Sequence, residues 1–135
     1  MAGVLVDSNV LLDVLSEASP WLAWSRAALS EAADRARLVI DPVIYAEVSV
    51  GYDTAERLEA ELPADVFARE PIPYEAAYLA GKAYLDYRRR GGARRSPLPD
   101  FFIGGHAAVA GYELLTRDAA RYRSYFPTVP LIAPS

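Results

Sequence analysis

The chain has 135 residues and a formal charge of −4, and over half of it is apolar, which suits one ordinary domain with a full core. It has no cysteine, which excludes disulfides, thiolate metal sites and a thiol nucleophile, and no apolar run approaches the roughly 20 residues of a membrane span. The start, MAGVLVDSNV, carries no basic leader before an apolar stretch, so no secretory signal is expected and the cytoplasm is the expected location.

Taken in chain order, Val4–Val6 reads as a short buried strand ending at Asp7, and NVLLDVLSE has helical spacing at Val10, Leu11, Val14 and Leu15. Ser19 and Pro20 predict the N-cap and first residue of a second helix, PWLAWSRAALSEAADRA. Arg37–Ile40 is a second strand. Asp41 and Pro42 then mark the start of a helix, VIYAEVSVG, that should end near Gly51. TAERLEAEL is a short acidic helix, and DVFARE a third strand. The longest helical pattern begins at Tyr74, with Tyr74, Tyr78, Leu79 and Leu85 on one broad face, and Gly91 and Gly92 break it. Helix resumes after Pro99, Glu113–Thr116 reads as a strand, DAARYRSY as a short helix and VPLIAP as a closing edge strand. Strands alternating with helices predict an α/β fold with a mainly parallel sheet. With no repeat, low-complexity segment or linker, a single domain over residues 1–135 is expected.

In such sheets, sites form at the carboxyl ends of the strands. Asp7 and Asp118 both follow strands and should project from the same edge. Glu47 lies on an apolar helix stripe among Ile44, Val48 and Gly51, where a charged carboxylate needs a partner or a metal unless it turns to water at the stripe's edge. Asp100 precedes an apolar helix whose Gly104 and Gly105 predict close approach to another element, since helical glycine costs about 1 kcal/mol relative to alanine. Singly, Asp100 and Asp118 read equally as helix N-caps, and Asp7 as the end of a strand feeding the first helix. Together, the four acids can converge, with no matching set of basic side chains to neutralise them. Clustered carboxylates repel. A hard divalent cation removes that penalty, and all-oxygen ligands favour Mg²⁺, with Mn²⁺ as a substitute.

The segments VLVDSNVLLDVL, YAEV, PDFFIGGHA and LLTRDAARYRSYFPTVPLIAP together resemble the motifs of PIN-domain ribonucleases, and more narrowly the VapC-type toxins of bacterial toxin–antitoxin pairs. The resemblance covers nearly the whole chain in the family's order. It implies a three-layer α/β/α PIN-like domain and a metal-dependent endoribonuclease cleaving RNA phosphodiester bonds. In that family pattern Asp7 and Asp100 are the principal metal ligands, Glu47 completes the inner site, and Asp118 matches a more variable fourth acid. Ser8, Asn9 and Thr116 match polar positions that orient ligands or waters. The resemblance further implies a cognate antitoxin partner and a homodimer.

His106, the only histidine, lies six residues from Asp100, about 240° around a helix. It therefore falls off the acidic face, on a mostly apolar stripe with Phe102 and Val109, as a packed or hydrogen-bonded side chain. The run RRRGGARR offers Arg88, Arg89, Arg90, Arg94 and Arg95 either as a solvated loop or as a clamp on RNA phosphates. Trp21, Trp24 and Leu29 form a helix face in the core or at an interface. Most of Tyr74, Tyr78, Tyr84 and Tyr87 should pack in the core, with any that stay exposed open to bases or to an antitoxin helix. Two other functions remain open. A haloacid-dehalogenase-type phosphohydrolase needs a second aspartate where this chain has Asn9, and a supporting lysine where only Lys82 exists. A non-catalytic PIN-like binding module would keep the fold alone.

Overall fold

The computed structural model describes residues 3–92 and 97–135. Five strands, β1 (Gly3–Val6), β2 (Arg37–Ile40), β3 (Phe67–Arg69), β4 (Glu113–Leu115) and β5 (Leu131–Ile132), form one sheet in the order β3-β2-β1-β4-β5. Every pairing is parallel. Seven helices complete the described chain: α1 (Ser8–Leu15), α2 (Leu22–Arg35), α3 (Pro42–Ser49), α4 (Ala55–Glu61), α5 (Tyr74–Arg89), α6 (Leu98–Ala110) and α7 (Ala120–Tyr125). The parallel sheet is what the alternating pattern predicts, and the three-layer α/β/α arrangement is the one the family resemblance implies.

The central strand explains why the sheet must be covered on both faces. Val4, Leu5 and Val6 are fully buried, a run without alternation, as a parallel strand sandwiched between helices requires. Burying each such side chain contributes about 1.5–3 kcal/mol. The chain runs outward from β1 to β2 and β3, then returns to the other side of β1 as β4 and β5. The direction of winding therefore reverses between β1 and β4. A crevice opens at the carboxyl ends of strands where the order reverses, and the residues that follow these two strands are Asp7 and Thr116.

Local chemistry sets the helix starts at this edge. Asp7 caps α1, its carboxylate accepting from the Ser8 N–H, and Asp41 caps α3 by accepting from the Ile44 N–H, with Pro42 in the first turn. Other boundaries differ from the sequence expectation. Helix α2 starts at Leu22, not Pro20. Ser19 accepts from the Trp21 N–H at 3.1 Å but gives its hydroxyl to Asp13 at 2.7 Å, so it closes a turn rather than capping the helix. Neither Asp100 nor Asp118 is a cap. Asp100 sits inside the first turn of α6, and Ala119 precedes α7.

The face expected of α5 is also reversed. Tyr74 is 92% exposed and Tyr78 65%, and Leu79 and Leu85 are exposed as well, while Ala76, Ala80 and Ala83 are buried. Tyr84 and Tyr87 are half-buried against the core. The reason lies in α6. A Cβ on Gly105 would stand 2.6 Å from the Ala76 carbonyl oxygen, and one on Gly104 would collide with the Phe126 ring. At the start of α5 the interface with α6 is small residue on small residue, with the backbones close, and Tyr74, Tyr78, Leu79 and Leu85 are turned outward, while Tyr87 near the other end packs against Phe101.

Candidate functional site

At the reversal, the Asp7 N–H donates to the Leu115 carbonyl at 2.9 Å, locking the end of β1 to the end of β4. The Asp7 side chain is 3% exposed. Its Oδ1 accepts from the Ser8 N–H at 2.8 Å. Its Oδ2 accepts from the Thr116 hydroxyl at 2.9 Å, the Tyr122 hydroxyl at 3.0 Å and the Asn9 amide at 3.5 Å. Asn9 in turn accepts from the Arg117 N–H at 3.1 Å and donates to Thr116 at 3.3 Å. Ser8 donates its hydroxyl to Glu47 at 2.8 Å, linking α1 to α3. Thus Ser8, Asn9 and Thr116, the polar residues singled out from sequence, all touch or bridge the acids.

The electrostatics show which acids share a field. Burial pushes the Asp7 carboxyl from 3.8 up to about 7. The hydrogen bonds from Thr116 and Tyr122 oppose that rise, and the charges of Asp100 and Glu47 reinforce it. Glu47 is also raised, first by burial, with the Ser8 hydroxyl opposing and Asp100 and Asp41 adding repulsion. Asp7, Glu47 and Asp100 are therefore mutually felt. Asp118 is placed differently. Its side chain is exposed, and its main-chain N–H donates to the Thr116 hydroxyl at 3.1 Å.

One expectation needs correction, and another is sharpened. Of the four acids Asp100 has a basic partner, Arg121 donating to it at 2.7 Å, while Arg117 pairs with the buried Asp13 at 2.8 Å. For Asp13, burial pushes upward, but the bonds from Arg117, Ser25 and Ser19 outweigh it and hold the carboxyl below its usual value. The four acids also do not form a closed cage, and among the described residues no three carboxylate or imidazole groups converge as a ready metal site. Asp100 is engaged by Arg121 and Asp118 stands outward. The donor chemistry still suits a hard cation, because a buried carboxylate raised to about 7 by burial and neighbouring acids is one that positive charge would relieve.

Sequence reasoning missed Tyr122 and Arg121. The usable signal was position: α7 starts right after the end of β4, so its first turn has to lie over this edge. For His106 the expected packed, hydrogen-bonded role holds, and only its partners were hidden. His106 is 1% exposed, and its Nδ1 lies 2.9 Å from Asp41 Oδ2 and its Nε2 3.6 Å from Glu70 Oε1. It stands away from the acid cluster, but it ties α6 to the start of α3. His106→Ala leaves the Asp41 carboxylate buried with its imidazole partner gone, and should cost roughly 3 kcal/mol in urea unfolding. A fully stable His106→Ala protein would contradict this role.

Arg88 stacks on Tyr84, and Arg90 pairs with Asp86 at 2.7 Å while lying over Tyr125. Arg89 is exposed. Arg94 and Arg95 lie outside the described residues. Trp21 is exposed, with Arg117 over its ring and Trp24 against its edge.

A parallel α/β/α domain with buried and half-buried acids at the strand-order reversal defines the class of this protein. The chain belongs to the PIN domain family, whose model matches residues 4–126, and this membership sets aside the haloacid-dehalogenase reading. The structure is similar to that of VapBC2 from Rickettsia felis bound to a DNA fragment from their promoter, with TM-score 0.74, 14% identity and 98% of each chain covered. It is similar to VapBC-1 from nontypeable Haemophilus influenzae, with TM-score 0.72, 16% identity and 96% of each chain covered. A toxin–antitoxin complex from Klebsiella pneumoniae matches with TM-score 0.72, 21% identity and 98% of each chain covered. At these identities the likeness shows the fold. Comparison with curated protein sequences finds no match.

Proposed function

We propose that this chain is a single PIN domain acting as a Mg²⁺-dependent endoribonuclease, the toxin of a pair with a cognate antitoxin. The observation that carries this reading is Asp7: a carboxylate 3% exposed, at the point where strand order reverses, raised to about 7 in part by Asp100 and Glu47. Asp7, Glu47 and Asp100 would hold the ion, with Mn²⁺ as a substitute, and Asp118 would serve at the rim. A divalent ion so held supplies charge that activates water and stabilises the departing 3′-oxygen of a phosphodiester. Ser8 orients Glu47, while Asn9, Thr116 and Tyr122 fix the orientation of Asp7.

The antitoxin is supported by solved relatives of the same fold that are VapBC complexes. A homodimer is supported by the exposed apolar residues of α5, Tyr74, Tyr78, Leu79 and Leu85. Arg88, Arg89 and Arg90, with Arg94 and Arg95, would follow the RNA backbone. Among the described residues, no helix is long and apolar enough to cross a membrane.

The test is incubation of the purified chain with cellular RNA in Mg²⁺, in Mn²⁺ and in EDTA, followed by sequencing of the new ends. Internal cuts are expected with either ion and none in EDTA. RNA binding without cleavage in either ion would favour the non-catalytic module.

A further inference from the structure

The acid cluster carries one positive partner that the metal reading does not use. Arg121 Nη1 lies 2.7 Å from Asp100 Oδ2, and both side chains are about one-third exposed. The guanidinium also lies near the Tyr87 ring, 6.0 Å from its centroid. Its neighbour on α7, Tyr122, donates to Asp7. One short helix thus places a hydroxyl on one proposed ligand and a cation on another.

The geometry points to Arg121 as the counter-ion that a divalent cation displaces from Asp100, and that then takes a phosphate of the bound RNA. The inference rests on the metal-dependent nuclease reading. Two cations cannot both neutralise the same carboxylate at full strength, so binding of the ion weakens the hold of Arg121. The released guanidinium stays tethered at the rim of the site by α7. A planar fork of N–H donors there is suited to a phosphodiester oxygen. Partial exposure gives the side chain room to move. It also keeps the pair weak enough to exchange, since ion pairs open to solvent contribute little to stability.

The test compares wild type, Arg121→Ala and Arg121→Lys, as full chains. Calorimetric titration with Mn²⁺ alone should show Arg121→Ala binding the ion about two- to five-fold more tightly, the range an exposed ion pair allows. Binding of a single-stranded oligoribonucleotide in Ca²⁺ should be weaker for Arg121→Ala. Its salt slope should fall by about 0.7, the value for one single-strand phosphate no longer neutralised, and Arg121→Lys should retain the wild-type slope. Mn²⁺ binding that is unchanged or weaker in Arg121→Ala would overturn the competition and make Arg121 a positioning residue for Asp100. An unchanged salt slope would overturn the phosphate role. If wild type binds no Mn²⁺, the metal reading itself falls, and this inference with it.

Discussion

Asp100→Asn is expected to lower the rate of RNA cleavage by more than about 100-fold while leaving a folded protein. Substitutions of groups that merely orient metal ligands cost about 10–100-fold, and removing the charge of a proposed ligand should exceed that. The fold should survive because Asp100 holds little of it together. It is neither the cap of α6 nor fully buried, and its partner is a solvent-accessible arginine. Losing that pair costs about 0–1 kcal/mol. Against this loss, the substitution removes a negative charge that repels both Asp7 and Glu47. A thermal melt near wild type together with lost cleavage therefore separates chemistry from unfolding. Cleavage at the wild-type rate with wild-type metal dependence would remove Asp100 from the site.

The positions of these acids were legible because sheet topology turns sequence order into place. A strand ending at an aspartate, in a pattern that predicts parallel strands, puts that aspartate at the carboxyl edge, and Asp7 is there. Glu47 was legible because a carboxylate on an apolar stripe needs a reason, and the structure gives it a hydroxyl from Ser8 and a share in the acids' field. What stayed hidden depends on side-chain direction across elements far apart in sequence. The Arg121–Asp100 and His106–Asp41 pairs join residues 21 and 65 positions apart, and periodicity says nothing about such pairs. The outward face of α5 was misread for a related reason. Large apolar residues at helical spacing predict a core face, but Gly105 of α6 brings that helix so near the start of α5 that Ala76, Ala80 and Ala83 take the buried positions. The glycines predicted the close approach without naming the partner. Asp118 shows the opposite limit: it follows β4 as expected, yet its carboxylate points to solvent while its N–H joins the Thr116 network.

Wild type in EDTA should lose stability as pH rises from about 4 to about 7, relative to Asp7→Asn. In the unfolded chain Asp7 ionises near 3.8, whereas in the folded protein it does so near 7. Between those values the native state keeps a proton that the unfolded state has released, so raising the pH favours unfolding. The stability is fully present below about 4 and is lost once pH passes about 7. The full shift corresponds to on the order of 4 kcal/mol. Glu47, also raised, acts in the same direction. Asp13 and Glu70 are held below their usual values and act oppositely, losing stability as the solution becomes acid. Subtracting the Asp7→Asn curve largely cancels these contributions, and the cost of placing an amide among the Thr116, Tyr122 and Asn9 donors enters as an offset that does not change with pH. Urea unfolding at pH 5 and pH 8 should then show the variant gaining roughly 3 kcal/mol on wild type across that interval. A difference that does not change with pH would mean that Asp7 is already ionised in the fold at pH 5. The buried, proton-holding carboxylate on which the metal reading rests would then be absent.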